Sequence, residues 1–358
     1  MAAKAWATRG LQQNGGVEEI FVQTEDVSLC LLVNRRAKTM RIVDFRAGAS
    51  EAKKRSVAAL AIREGAEKVY TLVERDEAAA WVKLGFTKEG SIPGFYKRSD
   101  AFLLGMVTGP GAQFDETPAE SGVRIAIPGG GRTDAPWSPA HDEMERTIVL
   151  AKKFAKDLAH DNGALVPSTK LAELRESDAR KAVLAALKSG RARTAFEPFG
   201  RGVAREYYVA TARNGFELVA LTESQSWFGN SFLELLTSPQ NDTERGLFAS
   251  AIRAISDKLL SSGVVSCFAL TPSDDIAIAT ALVFNGFRRT GLLLRHLPAH
   301  VSPGGEACGG RKNADCLVPQ VGRCRRRIGR RAAAPPRRPA APPPRRLVQR
   351  ASLRPCGN

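Results

Sequence analysis

RIVDFRAGASEAKKRSVAALAIREGAEKVYTLVERDEAAAWVKLGFTKEGSIPGFYKRSDAFLLGMV (residues 41–107) parses as strand, glycine turn, helix, strand, short helix, strand, strand. Arg41 to Phe45 is short and rich in β-branched and aromatic residues, which predicts a strand. Gly48 marks the turn, Ser50 is placed to cap a helix, and Gly65 to end it. Val57, Leu60, Ala61 and Glu64 fall on one face of that helix. Lys68 to Val73 reads as a strand, Asp76 to Leu84 as a two-turn helix closed by Gly85, and Thr87 to Phe95 and Ala101 to Val107 as two further strands. A strand, a crossover helix and a strand make a βαβ unit, so the two strands it joins are expected to be parallel.

Phe216 to Leu297 follows the same order with different residues, about 200 positions on, as expected of two related units in one chain. Asn214-Gly215 marks a hairpin between Arg205–Arg213 and Phe216–Thr222. Ser231–Thr237 and Val264–Leu270 read as strands around a helix at Asp242–Ser262, and a helix capped by Ser273 leads to a last strand at Phe287–Leu297. Upstream of Arg41, three antiparallel strands are expected at Glu18–Thr24, Val27–Val33 and Met40–Phe45. Residues 109–140 are rich in glycine and proline and read as a linker, with one short strand at Val123–Ile127. Glu143–His160 and Lys170–Ser189 carry helical periodicity and are expected to be front helices of the second unit.

The motifs Lys83-Leu84-Gly85-Phe86, Glu89-Gly90, Ile92-Pro93-Gly94-Phe95-Tyr96 and Asp100-Ala101 resemble the C-terminal half of a GNAT-superfamily acyl-CoA N-acyltransferase, closest in wording to the β-lysine N-acetyltransferase branch. The run Asn285-Gly286-Phe287-Arg288-Arg289-Thr290-Gly291 is similar to the same helix end and strand start. The resemblance implies an α/β (α+β) chain of two tandem GNAT-like units with mixed sheets, each with antiparallel front strands and a parallel splay where acetyl-CoA enters. The expected organisation is a disordered lead at 1–16, a truncated unit at 17–108 lacking its front helices, a linker at 109–140, a second unit at 141–300, and a disordered Arg/Pro-rich tail at 301–358.

An acyl-CoA enzyme of this kind needs a cradle for pyrophosphate, and the unpaired N–H groups at a helix start supply one. In the first unit that place is Gly48, Ala49 and Ser50, followed by Lys53, Lys54 and Arg55. The alternative for these three cations is a solvated helix face. In the second unit the corresponding residues are Thr243, Arg245 and Gly246, with Phe248 where the family carries a small residue. The resemblance further implies direct transfer: a neutral amine attacks the thioester, a carboxylate takes its proton, and an acid protonates the departing thiolate. Trp81 and Leu282 stand where the family often has a tyrosine acid, so Tyr96 is the substitute, with Asp44 and Glu74 as candidate bases; Glu223 and Glu234 are the second unit's candidates. Each carboxylate has a competing reading as an edge charge, and Tyr96 as half-buried packing.

The formal charge of +16 is concentrated in the tail: residues 301–358 carry 14 Lys and Arg against 2 acids, net +12, which leaves +4 for residues 1–300. Arg323 to Arg354 is mostly Arg, Pro and Ala and cannot bury a core. It reads either as a basic tether, for which clustered Arg would bind phosphate, or as a wrong-frame extension of a GC-rich gene; the second is preferred and a nucleic-acid partner is not expected. Cys308, Cys316, Cys324 and Cys356 lack the paired spacing of a zinc site, and no metal is expected. Cys30 and Cys267 lie in apolar runs, as buried thiols of a reducing compartment do. With no apolar leader and no run of 18 apolar residues, a cytoplasmic protein with no membrane partner is expected. The expected function is an N-acetyltransferase moving an acetyl group from acetyl-CoA to a primary amine of a small molecule or amino acid. The alternative is a catalytically silent GNAT pair that binds acyl-CoA or a protein partner.

Overall fold

The computed structural model of the protein describes residues 5–6, 17–24, 27–43, 50–96, 99–108, 139–161, 168–200, 203–298 and 313–322. Residues 1–324 cluster as one compact unit; residues 325–358 form a second, which lies outside the described residues. The first half of the compact unit runs β1 (Ala5–Trp6), β2 (Val17–Gln23), β3 (Ser28–Asn34), β4 (Thr39–Ile42), α1 (Glu51–Glu64), β5 (Lys68–Val73), α2 (Arg75–Lys83), β6 (Thr87–Ile92) and β7 (Ala101–Val107). The second half runs α3 (Pro139–Asp161), β8 (Lys170–Leu174), α4 (Glu176–Lys188), β9 (Ala204–Thr211), β10 (Glu217–Gln225), β11 (Asn230–Leu235), α5 (Asp242–Ser261), β12 (Ser266–Ala269), β13 (Thr271–Pro272), α6 (Ile276–Phe284), β14 (Arg288–Pro298) and β15 (Asn313–Gly322).

The fold is mixed α/β, and one hydrogen-bonded sheet takes in both halves, in the order β1-β2-β3-β4-β5-β7-β6-β14-β15-β12-β11-β10-β9-β8, with β13 beside β15. Counted inward from either edge with β13 set aside, the order is the same: first, second, third, fourth, fifth, seventh and sixth strand of that half. Two pairs are parallel, β4 with β5 and β11 with β12, each joined by a crossover helix as the βαβ rule requires. The halves meet where β6 pairs antiparallel with β14 at Gly90 and Gly291. A Cβ on Gly291 would sit 2.5 Å from the Gly90 Cα and 2.6 Å from the Glu89 carbonyl oxygen, so the seam is as tight as two bare backbones allow.

Strand alternation sorts the side chains. In β4, Met40 and Ile42 join Val57, Leu60 and Ala61 of α1 in the first half's core, and Arg41 points to the opposite face. In β11, Leu233 and Leu235 pack under α5 with Phe248, Ile252 and Ile255, and Phe232 points the other way. The two faces turned away from α1 and α5 share a third cluster, in which Tyr70, Leu72 and Phe95 meet Phe199, Phe232 and Phe268. Asn230 crosses the halves by donating to the Phe95 carbonyl at 2.8 Å.

Ser50 caps α1 as expected: its hydroxyl accepts from the Lys53 N–H at 3.3 Å, and Gly65 closes the helix at φ +67°. Several expectations are corrected. Lys170–Leu174 is a strand, because pairing with β9 satisfies a backbone that would otherwise leave the sheet edge open. Asp275, not Ser273, caps α6, accepting from the Ile278 N–H at 2.9 Å. α3 is not a front helix: Met144 and Ile148 pack on Leu292 of β14, and the helix lies against α6. Among the described residues, α4 is the helix that covers the face opposite α5, through Ala186 against Val219 and Leu221. Within the stretch read as a lead, Ala5–Trp6 pairs with β2. Within the stretch read as an unfolded tail, Asn313–Gly322 is the strand between β14 and β12, where two strands would otherwise face each other with unpaired backbone. The strand expected at Val123–Ile127 and residues 323–358 of the tail lie outside the described residues.

Candidate functional site

The two parallel pairs end in mouths that differ in chemistry. In the first half the register runs from Thr39 opposite Lys68 to Ile42 opposite Thr71, after which the chain passes to the capped start of α1. Asp44, Gly48 and Ala49 fall in that passage and lie outside the described residues. Ser50 is spent on its cap, and Lys53 is 5% exposed in the first turn. Tyr96, in the turn after β6, has its ring between those of Phe95 and Phe228, at 4.8 Å and 5.4 Å, and its hydroxyl donates to the Leu72 carbonyl at 3.5 Å. Burial pushes the Tyr96 phenol well above its ordinary value, against the pull of Arg41, so it stays protonated. Glu74 is exposed at the start of α2, where its side chain makes no cap bond, and its charge reaches Tyr96. The structure thus brings Tyr96, Glu74 and Arg41 to one mouth, Arg41 being absent from the sequence-based set. Its signal was available: in Met40-Arg41-Ile42 the charge alternates with two core residues, which puts it on the face away from α1.

The second mouth is stitched shut. Ser238 follows β11 and Asp275 follows β12 and β13, and the Ser238 hydroxyl donates to Asp275. Arg193 reaches both, with Nε 2.8 Å from the Ser238 hydroxyl and 3.4 Å from the Asp275 carboxylate. The Arg193 N–H donates to the Leu236 carbonyl at 2.7 Å, and Ala192 bridges Thr237. At the start of α5, the cap residue Asn241 accepts from the Glu244 N–H at 2.9 Å, and the Glu244 carboxylate accepts from the Gln240 N–H at 2.7 Å, which sets an acid where a phosphate would sit. Thr243 is exposed, Arg245 pairs with Asp242 at 3.0 Å, and Gly246 and Phe248 are buried in the helix. A pocket of about 120 Å³ beside this turn is lined by Arg191, Glu217, Ser238 and Glu244 among others, with two acids to one base.

Of the second half's candidate bases, Glu223 is buried and Glu234 half-buried. Glu223 is saturated, accepting from the Phe199 N–H at 3.1 Å, the Gly200 N–H at 2.8 Å and Arg205 Nε at 3.0 Å. Glu234 accepts from the Thr194 hydroxyl at 3.0 Å through one oxygen, and its other oxygen has no partner among the described residues. Burial, with Glu223 nearby, pushes Glu234 up to about 8. A carboxyl raised from 4.5 in the unfolded chain contributes stability that is present below that value and lost as pH rises towards 8. Glu234→Gln should therefore be the more stable protein at pH 7.5, by about 2–4 kcal/mol, and the gap should close by pH 4.5. Urea titrations of both proteins across that range check it; a gap independent of pH would contradict the assignment.

Trp81 and Leu282, read as occupants of the acid position, are core residues at 2% and 1% exposure, and Trp81 packs edge-on against Phe86. Cys30 and Cys267 are buried and form no disulfide among the described residues, and the Cys30 thiol donates to the Glu19 carboxylate at 3.2 Å. Among the described residues no group of three or more His, Cys, Asp or Glu is arranged to hold a metal ion, and no helix is long and apolar enough to cross a membrane.

No protein-family profile matches the chain, and no curated protein matches it. Solved structures do show likeness. The ribosomal-protein-S18-alanine N-acetyltransferase from Escherichia coli is 14% identical, with 43% of this chain and 92% of that one covered at a TM-score of 0.31. Spermidine N-acetyltransferase from Vibrio cholerae, in complex with CoA and spermine, is 10% identical, with 43% and 95% covered at 0.33. A GNAT superfamily phosphinothricin acetyltransferase from Sinorhizobium meliloti, in complex with AcCoA, is 17% identical, with 44% and 89% covered at 0.32.

Proposed function

We propose that the protein is an acetyl-CoA-dependent N-acetyltransferase built from two GNAT-like units, of which the first holds the cofactor and acts on a small amine. The observation that carries this reading is the first mouth: a parallel strand pair leading into a Ser-capped helix start that bears Lys53, with Tyr96 and Glu74 beside it. The strand order, repeated from both edges, supports two units, 17–108 and 141–300, the second completed by β15. Ser50, Lys53 and the preceding Gly48 and Ala49 are the residues suited to a pyrophosphate, since a helix start and cations both favour anions. The second mouth offers a poorer fit, its helix start setting Glu244 where a phosphate would sit and its opening spanned by Arg193, Ser238 and Asp275.

In this reading acetyl-CoA supplies the acetyl group as a thioester. The amine nitrogen forms a bond to the carbonyl carbon as the carbon–sulfur bond breaks, Asp44 or Glu74 receives the ammonium proton through water, and Tyr96 delivers a proton to the thiolate. Calorimetric titration of the full chain with acetyl-CoA tests the assignment. Binding should be lost in Gly48→Trp and kept in Thr243→Trp; the reverse would move the cofactor to the second unit, and no binding by the unaltered chain would end the reading.

A second reading is favoured by the aromatic cluster. Phe95, Phe199, Phe232 and Phe268 fill the face behind both parallel pairs, which is where an acceptor would approach a thioester held from the helix side. A silent unit that binds acyl-CoA without turning it over would fit that packing. Its mark would be acetyl-CoA binding with no transfer across a broad panel of amines.

A further inference from the structure

α1 and α2 pack on one face of the first half's sheet, through Val57, Leu60, Trp81 and Leu84. Among the described residues, the other face at the first mouth is walled by the second half, whose Phe199, Phe232 and Phe268 meet Tyr70, Leu72 and Phe95. At the rim of that wall stands the turn between β10 and β11, residues 226–229. Its Phe228 ring lies edge-on to Tyr96 at 5.4 Å and stacks on Phe95 at 6.0 Å. Phe95 is fully buried, while Tyr96 and Phe228 are half-buried, so their contact lies at the edge of the cluster and not in its closed centre.

The turn that carries Tyr96 is held from both halves. Within the first half, the Gly94 N–H donates to the Asp100 carboxylate at 2.8 Å and the Tyr96 N–H to the Ser99 carbonyl at 3.1 Å. The Phe95 carbonyl is taken by the second half, through Asn230 Nδ2 at 2.8 Å. Asn230 is 1% exposed and opens β11, with Gln225 of β10 and Ser266 of β12 as its strand partners on either side. The neighbouring Gly229 carbonyl accepts from the Val265 N–H at 2.7 Å. The donor is thus fixed between two strands. The Phe95 carbonyl shares one rigid peptide plane with the Tyr96 nitrogen, so a bond to that carbonyl sets the direction in which Tyr96 leaves the chain.

A proton donor serves a departing thiolate only from within hydrogen-bond reach, and a displacement of about 1 Å costs about 100-fold in rate. A tyrosine on a turn meets that demand only if its backbone and its ring are both held. Asn230 holds the backbone, and the rings of Phe95 and Phe228 hold the side chain. We propose that Asn230 and Phe228 are positioning residues for Tyr96, so that the second unit completes the active site of the first. This deepens the acetyltransferase reading and rests on it. Both residues act through Tyr96 and neither touches the reacting atoms.

The test is a double-variant cycle on the full chain, with acetyl-CoA and the best-turned-over amine of a broad panel. Tyr96→Phe should lower kcat about 100-fold. Asn230→Leu, which keeps the branched shape and leaves the Phe95 carbonyl without its donor, should lower kcat at least ~10-fold with KM for acetyl-CoA within about twofold. Introduced into the Tyr96→Phe protein, the same change should lower kcat by less than about twofold, since no phenol is left to misplace. Phe228→Leu, at a half-buried position, should behave in the same way and carries the cycle if thermal melting shows Asn230→Leu to be unfolded. Losses that multiply in the double variants, a kcat untouched by the second-unit variants, or a kcat untouched by Tyr96→Phe overturn the proposal and leave the acetyltransferase reading standing. If no amine is acetylated, that reading fails by itself, and fluorine NMR of protein carrying 3-fluorotyrosine at its four tyrosines judges the brace. The resonance missing from Tyr96→Phe should move towards that of free 3-fluorotyrosine in Asn230→Leu, and an unmoved resonance overturns the proposal.

Discussion

Gly291→Ala should cost about 3 kcal/mol or more. The new Cβ would stand 2.5 Å from the Gly90 Cα and 2.6 Å from the Glu89 carbonyl oxygen. Both are backbone atoms, so no side chain can swing aside, and relief requires β6 and β14 to part. Gly90→Ala meets the Gly291 Cα at 2.9 Å and should be nearly as harmful. Gly85→Ala is the control: its φ of +91° strains a side chain, but nothing lies within 4 Å, so about 1–2 kcal/mol is expected. Urea denaturation of the three proteins gives the comparison. If Gly291→Ala cost no more than Gly85→Ala, the β6–β14 junction would not be the tight seam described.

Lys68→Met should cost about 3–5 kcal/mol. Lys68 is fully buried at the start of β5 and pairs with Glu89 of β6, which is 3% exposed. Gly105 on the intervening β7 makes room, since a Cβ there would collide with both charged groups. Removing the ammonium leaves a carboxylate in the interior without its cation, and that penalty exceeds what the intact pair contributes. The double variant Lys68→Met with Glu89→Leu should recover most of the loss, because two apolar side chains remove both desolvation costs together. A double variant no more stable than the single one would mean that the cost was packing and not charge.

Much of the fold was legible because local signals carried it. Ser50 and Gly65 bounded α1, Asn214-Gly215 placed the β9–β10 hairpin, and Lys68–Val73 and Ala101–Val107 were read to the residue. The errors lay where long-range pairing overrode local pattern. Lys170–Leu174 has helical periodicity yet serves as an edge strand, and Asn313–Gly322 lies in a stretch whose composition reads as unfolded yet completes the sheet between β12 and β14. Asp275 took the cap from Ser273 because it also receives the Ser238 hydroxyl and faces Arg193. Of the candidate site, Tyr96, Glu74, Ser50 and Lys53 were nameable from motif and position; the Met40-Arg41-Ile42 alternation gave Arg41 its face, but only the fold decided which charges stand near it.

By itself the sequence determined the element types, the two parallel crossovers and the existence of two similar runs, since caps, glycines and apolar periods act within a few residues of chain. Only the tertiary structure decided that the runs share one sheet, that Gly90 and Gly291 let their backbones touch, and that Arg41 lies over the Phe199 ring while Glu223, the acid whose charge reaches it, is held by Arg205. Charge balance in an interior is a property of what packs together across nearly two hundred residues, and no local pattern encodes it.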